Sequence, residues 1–286
     1  TDVERLIAEG KLAAAIGIEN GYVIGTDLEL LDRYYELGAR YMTLVHNGHN
    51  DIADSASPRP QFGDEPTEHR GVSELGAAVI RRMNELGIMV DISHASKEAA
   101  LAAIALSQAP VIASHSSVRA LADHARNLDD ETLLALRDNG GVVQIVAYDA
   151  FLKVHPPERV EALRGLHERW SIDPPVDLES LDPETAAAYL AALDAIDSRW
   201  PRAAVADLVD HIVHAVELIG IDHVGISSDF GGGGGIDGWD DAGETPNVTA
   251  ELLGRGFSAE DIGKLWSGNL LRVWREVEDV AAQRQR

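Results

Sequence analysis

Short apolar runs that end in a metal-binding or proton-carrying side chain recur along this chain. The run 41–45 ends in His46, 88–93 in His94, 111–114 in His115, 15–18 in Glu19 and 223–228 in Asp229. Runs this short, bounded by turn residues, read as buried strands. Stretches of helical periodicity separate them, and strands that alternate with helices build a parallel sheet with right-handed crossovers. In such a sheet all the C-terminal strand ends lie on one side. Residues far apart in sequence can therefore share one site there.

The spacing predicts strands at 14–18, 40–45, 88–92, 110–114, 142–147 and 222–227. Helices are expected at 27–38, 73–87, 96–107, about 129–138, 203–219 and, in pieces, from about 247 to 283. Asp27, Ser73 and the glycines Gly38 and Gly87 supply start and stop signals. A polar loop fills 46–70. The stretch 150–202, with Pro156-Pro157 and Pro174-Pro175, breaks the rhythm and reads as a mostly helical insertion in a single domain over 1–286. The fold class is thus α/β: either an open doubly wound sheet or a (β/α)8 TIM-type barrel. A closed barrel needs eight strands and six are counted, so in the barrel, which the residues below favour, the first two β/α units are expected to lie outside this chain.

Composition narrows the chemistry. The net charge of −24 argues against nucleic acid or an anionic membrane surface as partner. No apolar run reaches the ~18 residues of a membrane span. No signal peptide is visible, so a soluble, cytoplasmic protein is expected, with export left open by the incomplete N-terminal region. There is no cysteine. Any metal must be held by His, Asp and Glu, a donor set that suits zinc or a similar divalent ion at a catalytic site.

Six segments, taken together, resemble the membrane dipeptidase (renal dipeptidase) family of zinc dipeptidases. They are Ile16-Gly17-Ile18-Glu19-Asn20-Gly21, Leu44-Val45-His46-Asn47, Asp91-Ile92-Ser93-His94, Ser114-His115-Ser116-Ser117, His124-Ala125-Arg126-Asn127 and Ser228-Asp229-Phe230. Gly268-Asn269-Leu270-Leu271-Arg272-Val273 is similar to that family too. The resemblance implies two divalent metal ions, zinc first among them, with Glu19 as the bridging carboxylate and His94 and His115 as ligands of the second ion. It implies that His46 steadies the tetrahedral intermediate, that Arg126 grips the terminal carboxylate of a dipeptide and that Asp229 is the acid/base. The residue types suit these tasks: two cations can acidify a shared water, a carboxylate beside it can move its proton, and an arginine fork binds both oxygens of a carboxylate.

One element of the family pattern does not occur upstream of Glu19: a His-x-Asp pair at the first strand. His49-Asn50-Asp51 has that spacing but falls in the loop after His46, and reads as a look-alike. Asp91 reads as a supporting residue rather than a ligand. His211 and His214, i and i+3 on a predicted helix, read as surface residues, and His69 with the acidic loop 64–68 as solvated. Gly17 and Gly21 suggest a tight turn facing a ligand. Gly231 to Gly235 suggest a flexible loop at the site, since no phosphate-binding fingerprint accompanies them. The expected activity is metal-dependent hydrolysis of dipeptides, L,D-dipeptides included, by a chain that can form a homodimer. The alternatives are another amidohydrolase or a phosphoesterase on the same barrel, or a binding protein with an incomplete metal site.

Overall fold

The computed structural model describes residues 2–172, 176 and 180–284. Six strands form one sheet, parallel throughout and in chain order: β1 (Ile16–Ile18), β2 (Ala39–Thr43), β3 (Met89–Asp91), β4 (Ile112–Ser116), β5 (Val142–Val146) and β6 (Val224–Ser227). Chain-order pairing with a crossover between neighbours is how consecutive units of a (β/α) barrel are laid down. The sheet is open, with β1 and β6 at its two edges. Edge strand β1 is only three residues long, and Ile16 is 54% exposed.

The helices after each strand form because their ends are capped and one face is apolar. Ser73 accepts a bond from Gly76 N at the start of α3 (Glu74–Leu86), and Gly87 ends it in the left-handed conformation. Ser96 does the same for α4 (Lys97–Leu106), and Asp129 for α5 (Asp130–Asp138). Such caps contribute about 1 kcal/mol each. Before them come α1 (Asp2–Ala8) and α2 (Glu29–Glu36). Between β5 and β6 run α6 (Asp149–Leu152), α7 (Pro157–Trp170), α8 (Pro183–Arg199) and α9 (Val205–Ile219). The chain ends in α10 (Thr245–Gly254), α11 (Ala259–Gly263) and α12 (Asn269–Arg284). Helices α2, α3, α4, α5 and α9 follow one another along one face, each packed on the next, while α7 packs on α8.

Strand side chains alternate between two apolar layers, as a pleated strand requires. Val90, Ala113 and Val143 join the main core with Ile80, Met83, Leu133, Val209 and Ile212. Met89, Ile112 and Val142 face the other way, against Val273, Trp274 and Val277 of α12. The Gly268-Asn269 motif serves this second layer: buried Asn269 donates to the carbonyls of Ile221 and Val224, 2.7 Å each, and pins the start of β6.

The strand boundaries differ from expectation at β4. Its register shifts between Ala113 and Ser116, which pairs with Ile145, so the strand runs on past His115. His115 is thus a strand residue, lying between Ala113 and Ser116, which both pair with β5, rather than a loop residue after the strand.

Candidate metal centre

Four of the expected site residues meet at the C-terminal ends of β1 to β4. Oε1 of Glu19 lies 3.2 Å from Nε2 of His115, 3.3 Å from Nε2 of His94 and 3.6 Å from Nε2 of His46. The His46 and His94 rings are 4.0 Å apart between centroids, and those of His94 and His115 4.9 Å. The two inner imidazoles are 9% and 12% exposed, and Glu19 is half exposed, so the group lies at the floor of an open depression. His94 adopts φ +66° and Asn20, next to Glu19, φ +95°. Non-glycine residues seldom adopt positive φ, and such strain collects at functional sites.

A buried network orients His115. Asp91, fully buried, accepts hydrogen bonds from Thr43 Oγ1 (2.8 Å), Ser93 N (3.0 Å), Ser114 N (3.0 Å) and Ser114 Oγ (2.5 Å). The Ser114 hydroxyl has one proton and gives it to Asp91. Its 2.7 Å contact with His115 Nδ1 is therefore donated by the imidazole. That fixes the tautomer with Nε2 turned toward Glu19. His115 Nε2 is buried there without any hydrogen-bond partner, and so is His94 Nδ1. Supporting groups that set a ligand's tautomer in this way are characteristic of metal sites.

Charge agrees with geometry. Burial pushes His94 down to about 3, with Arg126, His115 and His46 adding to the effect. His94 is then neutral at pH 7, as a ligand must be. One donor atom from each of Glu19, His94 and His115 lies within 4.8 Å of the other two. A lone pair with no donor, facing a carboxylate in a buried site, is satisfied by a cation. These residues fit a divalent metal ion.

Arg126 and Asp229 flank this centre. Arg126 is 4% exposed; Nη2 donates to His115 O (3.2 Å), Nε has no partner, and the guanidinium lies 5.3 Å from the centre of the Phe151 ring. Burial lowers it to about 10, against the pull of Asp91, Asp229 and Glu19, so it remains a cation at neutral pH. Among the described residues it has no carboxylate at ion-pair distance. Its loop is closed by the bridge between Val118 and Leu128, and Asn127 Nδ2 ties it to Phe151 O (2.7 Å). Asp229 follows β6 at φ +56°; its carboxyl is pushed up by burial and by Glu19, with His115 and Arg126 pulling the other way.

The sequence missed two neighbours. Tyr148, at the end of β5, is raised by burial and by Asp229, and its ring lies 4.4 Å from Phe151. Together they form an aromatic shelf beside Arg126. Nothing in the apolar spacing marks them. The serine pairs Ser93/Ser116 and Ser114/Asp91 did carry a signal: polar side chains at alternate positions of two strands that should be wholly apolar.

Several expectations need correction. His211 is not a surface residue: it is 1% exposed, Nδ1 accepts from Val118 N (3.1 Å) and Nε2 donates to Leu152 O (3.1 Å). It ties the Arg126 loop to α6. His69 is not simply solvated, since its Nε2 donates to Asn50 O (2.8 Å). His49 is buried, with Nδ1 accepting from Ser55 N and Nε2 donating to Glu65 O, so the look-alike His-x-Asp has no free nitrogen. Gly17 lies within β1 rather than in a turn, while Gly21 opens a 3-10 turn, Gly21–Ile24, directly after Asn20. A Cβ at Gly17 would lie 2.0 Å from the Tyr41 ring, and one at Gly21 2.6 Å from Ile52, so both are there for close packing. The glycine run folds tightly back on Asp229, whose carbonyl accepts from Gly232 N and Gly234 N at 3.0 Å; a Cβ at Gly234 would strike Ser228 O at 2.0 Å.

A parallel α/β sheet with a histidine–carboxylate cluster at its C-terminal edge defines a class: metal-centre proteins of the TIM-barrel-like kind. Within that class the chain belongs to the membrane dipeptidase family, peptidase family M19, whose profile matches residues 1–286. It is 35% identical over 285 residues to dipeptidase tcpJ of Claviceps purpurea, covering 99% of this chain and 55% of that protein. It is 36% identical over 273 residues to dipeptidase aclJ of Aspergillus oryzae, covering 95% and 53%. The chain spans about half the length of the curated relatives it matches. Among solved structures it superposes on the probable dipeptidase PvdM of Pseudomonas aeruginosa with a TM-score of 0.84 at 43% identity, over 98% of this chain and 73% of that one. A metallo peptidase of Rhodobacter sphaeroides, solved with a phosphinate mimic of the dipeptide L-Ala-D-Ala, shares the fold at a TM-score of 0.74 and 23% identity, over 96% and 66%. No helix among the described residues is long and apolar enough to cross a membrane.

Proposed function

We propose that this chain provides the catalytic centre of a metal-dependent dipeptidase that hydrolyses the single peptide bond of a dipeptide. Glu19, His94 and His115 would hold a divalent ion, with zinc the best match to a sulfur-free donor set and Glu19 placed to bridge to a second ion. Bound there, such an ion supplies an acidified water as nucleophile and polarises the scissile carbonyl.

The chain's own groups do the rest. Arg126, a buried cation with no carboxylate at ion-pair distance among the described residues, offers its fork to the substrate's terminal carboxylate, which supplies the close partner. Asp229, its carboxyl raised by burial, can take a proton from the attacking water and pass it to the leaving amine. His46, only part-buried beside Glu19, can donate from Nε2 to the oxygen that gains charge as the carbonyl is attacked. A single carboxylate grip close to the metal centre measures out one residue beyond the scissile bond, so tripeptides fit poorly.

The observation that carries this reading is the convergence of three imidazole nitrogens on one Glu19 oxygen beside an unpaired buried guanidinium. The test is hydrolysis of L-Ala-L-Ala, L-Ala-D-Ala and Ala-Ala-Ala by zinc-loaded protein, with and without a chelator. Cleavage of the dipeptides but not the tripeptide, abolished by the chelator and restored by zinc, is expected. No cleavage of any dipeptide after zinc is restored would overturn it and favour a binding protein.

A further inference from the structure

A cavity of 760 Å³ opens between α7 and the glycine run, and no step of the proposed reaction uses it. Tyr148, Val160, Leu163, His167, Ile172 and Gly233 contribute to its wall. Its volume is that of a small-molecule site rather than a packing defect. Three charged groups on the wall already satisfy one another. Asp149 pairs with His155 (2.8 Å) and Arg159 (2.8 Å), and Arg159 pairs further with Asp197 (3.0 Å). Arg164 pairs with Glu161. What remains facing the space is largely apolar, from Val160, Leu163 and Ile172, with Glu168 a further charged residue on the wall.

The position of the cavity matters more than its size. Phe151 lies under the Arg126 guanidinium, Tyr148 stacks on Phe151, and the far side of Tyr148 is cavity wall. On the opposite lip, Gly233 belongs to the run that folds back on Asp229. Tyr148 and Gly233 are thus what the cavity shares with the surroundings of Arg126 and Asp229, where the dipeptidase reading puts the last residue of the substrate.

We propose that this cavity receives the side chain of the substrate's carboxy-terminal residue and selects large apolar side chains. The proposal rests on the dipeptidase reading above. Burying an apolar side chain against Val160, Leu163 and Ile172 favours the bound state in proportion to the area removed from water. Glycine at that position gains nothing, while leucine, phenylalanine and tryptophan gain progressively. Glu168 also stands on the wall, so an acidic side chain would lose its hydration and meet a like charge there.

The test is kcat/KM of the zinc-loaded protein for Ala-Gly, Ala-Leu, Ala-Phe and Ala-Trp, repeated with Leu163→Trp and Val160→Trp. Val160 is 58% exposed, so its replacement leaves the core intact. In the unaltered protein the Ala-Phe to Ala-Gly ratio is expected at roughly tenfold or more, a common size for discrimination by an apolar pocket. Either filled variant should bring the ratio close to one, mainly through KM, with an unchanged melting temperature. A flat series, or a preference that survives both replacements, would overturn the proposal while leaving the dipeptidase reading in place. Failure to cleave even Ala-Gly would remove the dipeptidase reading and the subsite with it.

Discussion

Two histidine–carboxylate clusters lie in this chain, one around Asp54 and one around Glu19, and their bonding differs. Around Asp54, the aspartate carboxylate and both nitrogens of His49 have hydrogen-bond partners. Its buried carboxylate accepts from Thr67 Oγ1, Glu68 N, His69 N and Gly71 N at 2.7–3.0 Å, and His49 and His69 give their ring nitrogens to backbone partners. Around Glu19, three imidazoles crowd one oxygen, His115 Nε2 and His94 Nδ1 have no partner, and Arg126 is buried without a carboxylate. The first cluster is complete as folded and holds the loop 46–70 in place. In the proposed reading the second is completed by a cation and an anion. Residue type is shared, and Glu19 is half exposed where Asp54 is buried; what sets the Glu19 cluster apart is its pattern of unmet bonding capacity.

This contrast can be broken first at Glu19. Glu19→Gln keeps the shape and removes the charge that a cation needs. Several kcal/mol of charge stabilisation would be lost, and at about 1.4 kcal/mol per tenfold, kcat/KM for a dipeptide should fall roughly 10³-fold. Loss of less than tenfold would deny Glu19 a place in the centre.

Arg126→Met comes next and sets function against stability. Dipeptide kcat/KM is expected to fall about 100-fold, chiefly in KM, because a charge-assisted bidentate contact disappears. The melting temperature should hold or rise, since a buried cation with no carboxylate at ion-pair distance among the described residues is replaced by an apolar chain of similar length. A drop of several degrees would mean that Arg126 is structural.

Ser114→Ala tests the network behind the centre. It leaves Asp91 with an unmet acceptor and frees the His115 ring to turn. Zinc affinity, read by competition with a chromogenic chelator, should weaken by roughly 10–100-fold. Unchanged affinity would show that the Asp91–Ser114–His115 chain does not set the ligand.

The smallest effect on the metal centre is expected at Asp54, where the cost falls on the fold instead. Burial alone would raise this carboxyl, but bonds from Thr67, Glu68, Gly71 and His69 outweigh it and bring it to about 2. An unfolded Asp titrates near ~3.9, so the stabilisation is complete above about pH 4 and disappears as pH falls toward 2. It amounts to roughly 2 kcal/mol. Asp54→Asn should remove most of that at pH 7 and flatten the acid limb of the unfolding curve, with zinc stoichiometry unchanged. A variant that loses its zinc but keeps its stability would invert the comparison.

The strand–helix rhythm was legible because period-2 and period-3.6 patterns are local and strong, and because Ser73, Ser96 and Gly87 mark ends by chemistry that needs no tertiary context. The strand-end positions of Glu19, His46, His94 and Asp229 were legible for the same reason. The depth of the arrangement was not. Whether His211 faces solvent or ties Val118 to Leu152 depends on a loop 93 residues away. The bulge that draws His115 into β4 arises from pairing with β5, and the reasons for Gly17 and Gly21 lie in Tyr41 and Ile52, on other segments. The aromatic shelf of Tyr148 and Phe151 is a product of the β5–α6 turn and leaves no periodic trace. Sequence pattern reports what each segment does alone; contacts between segments decide which polar groups are left unmet.

The most direct test of that conclusion is anomalous X-ray diffraction at the zinc edge from crystals grown with zinc. The account predicts a strong peak between Glu19, His94 and His115, about 2.0–2.2 Å from a donor atom of each. A centre with no peak, or zinc bound instead at the His49–Asp54 cluster, would contradict it.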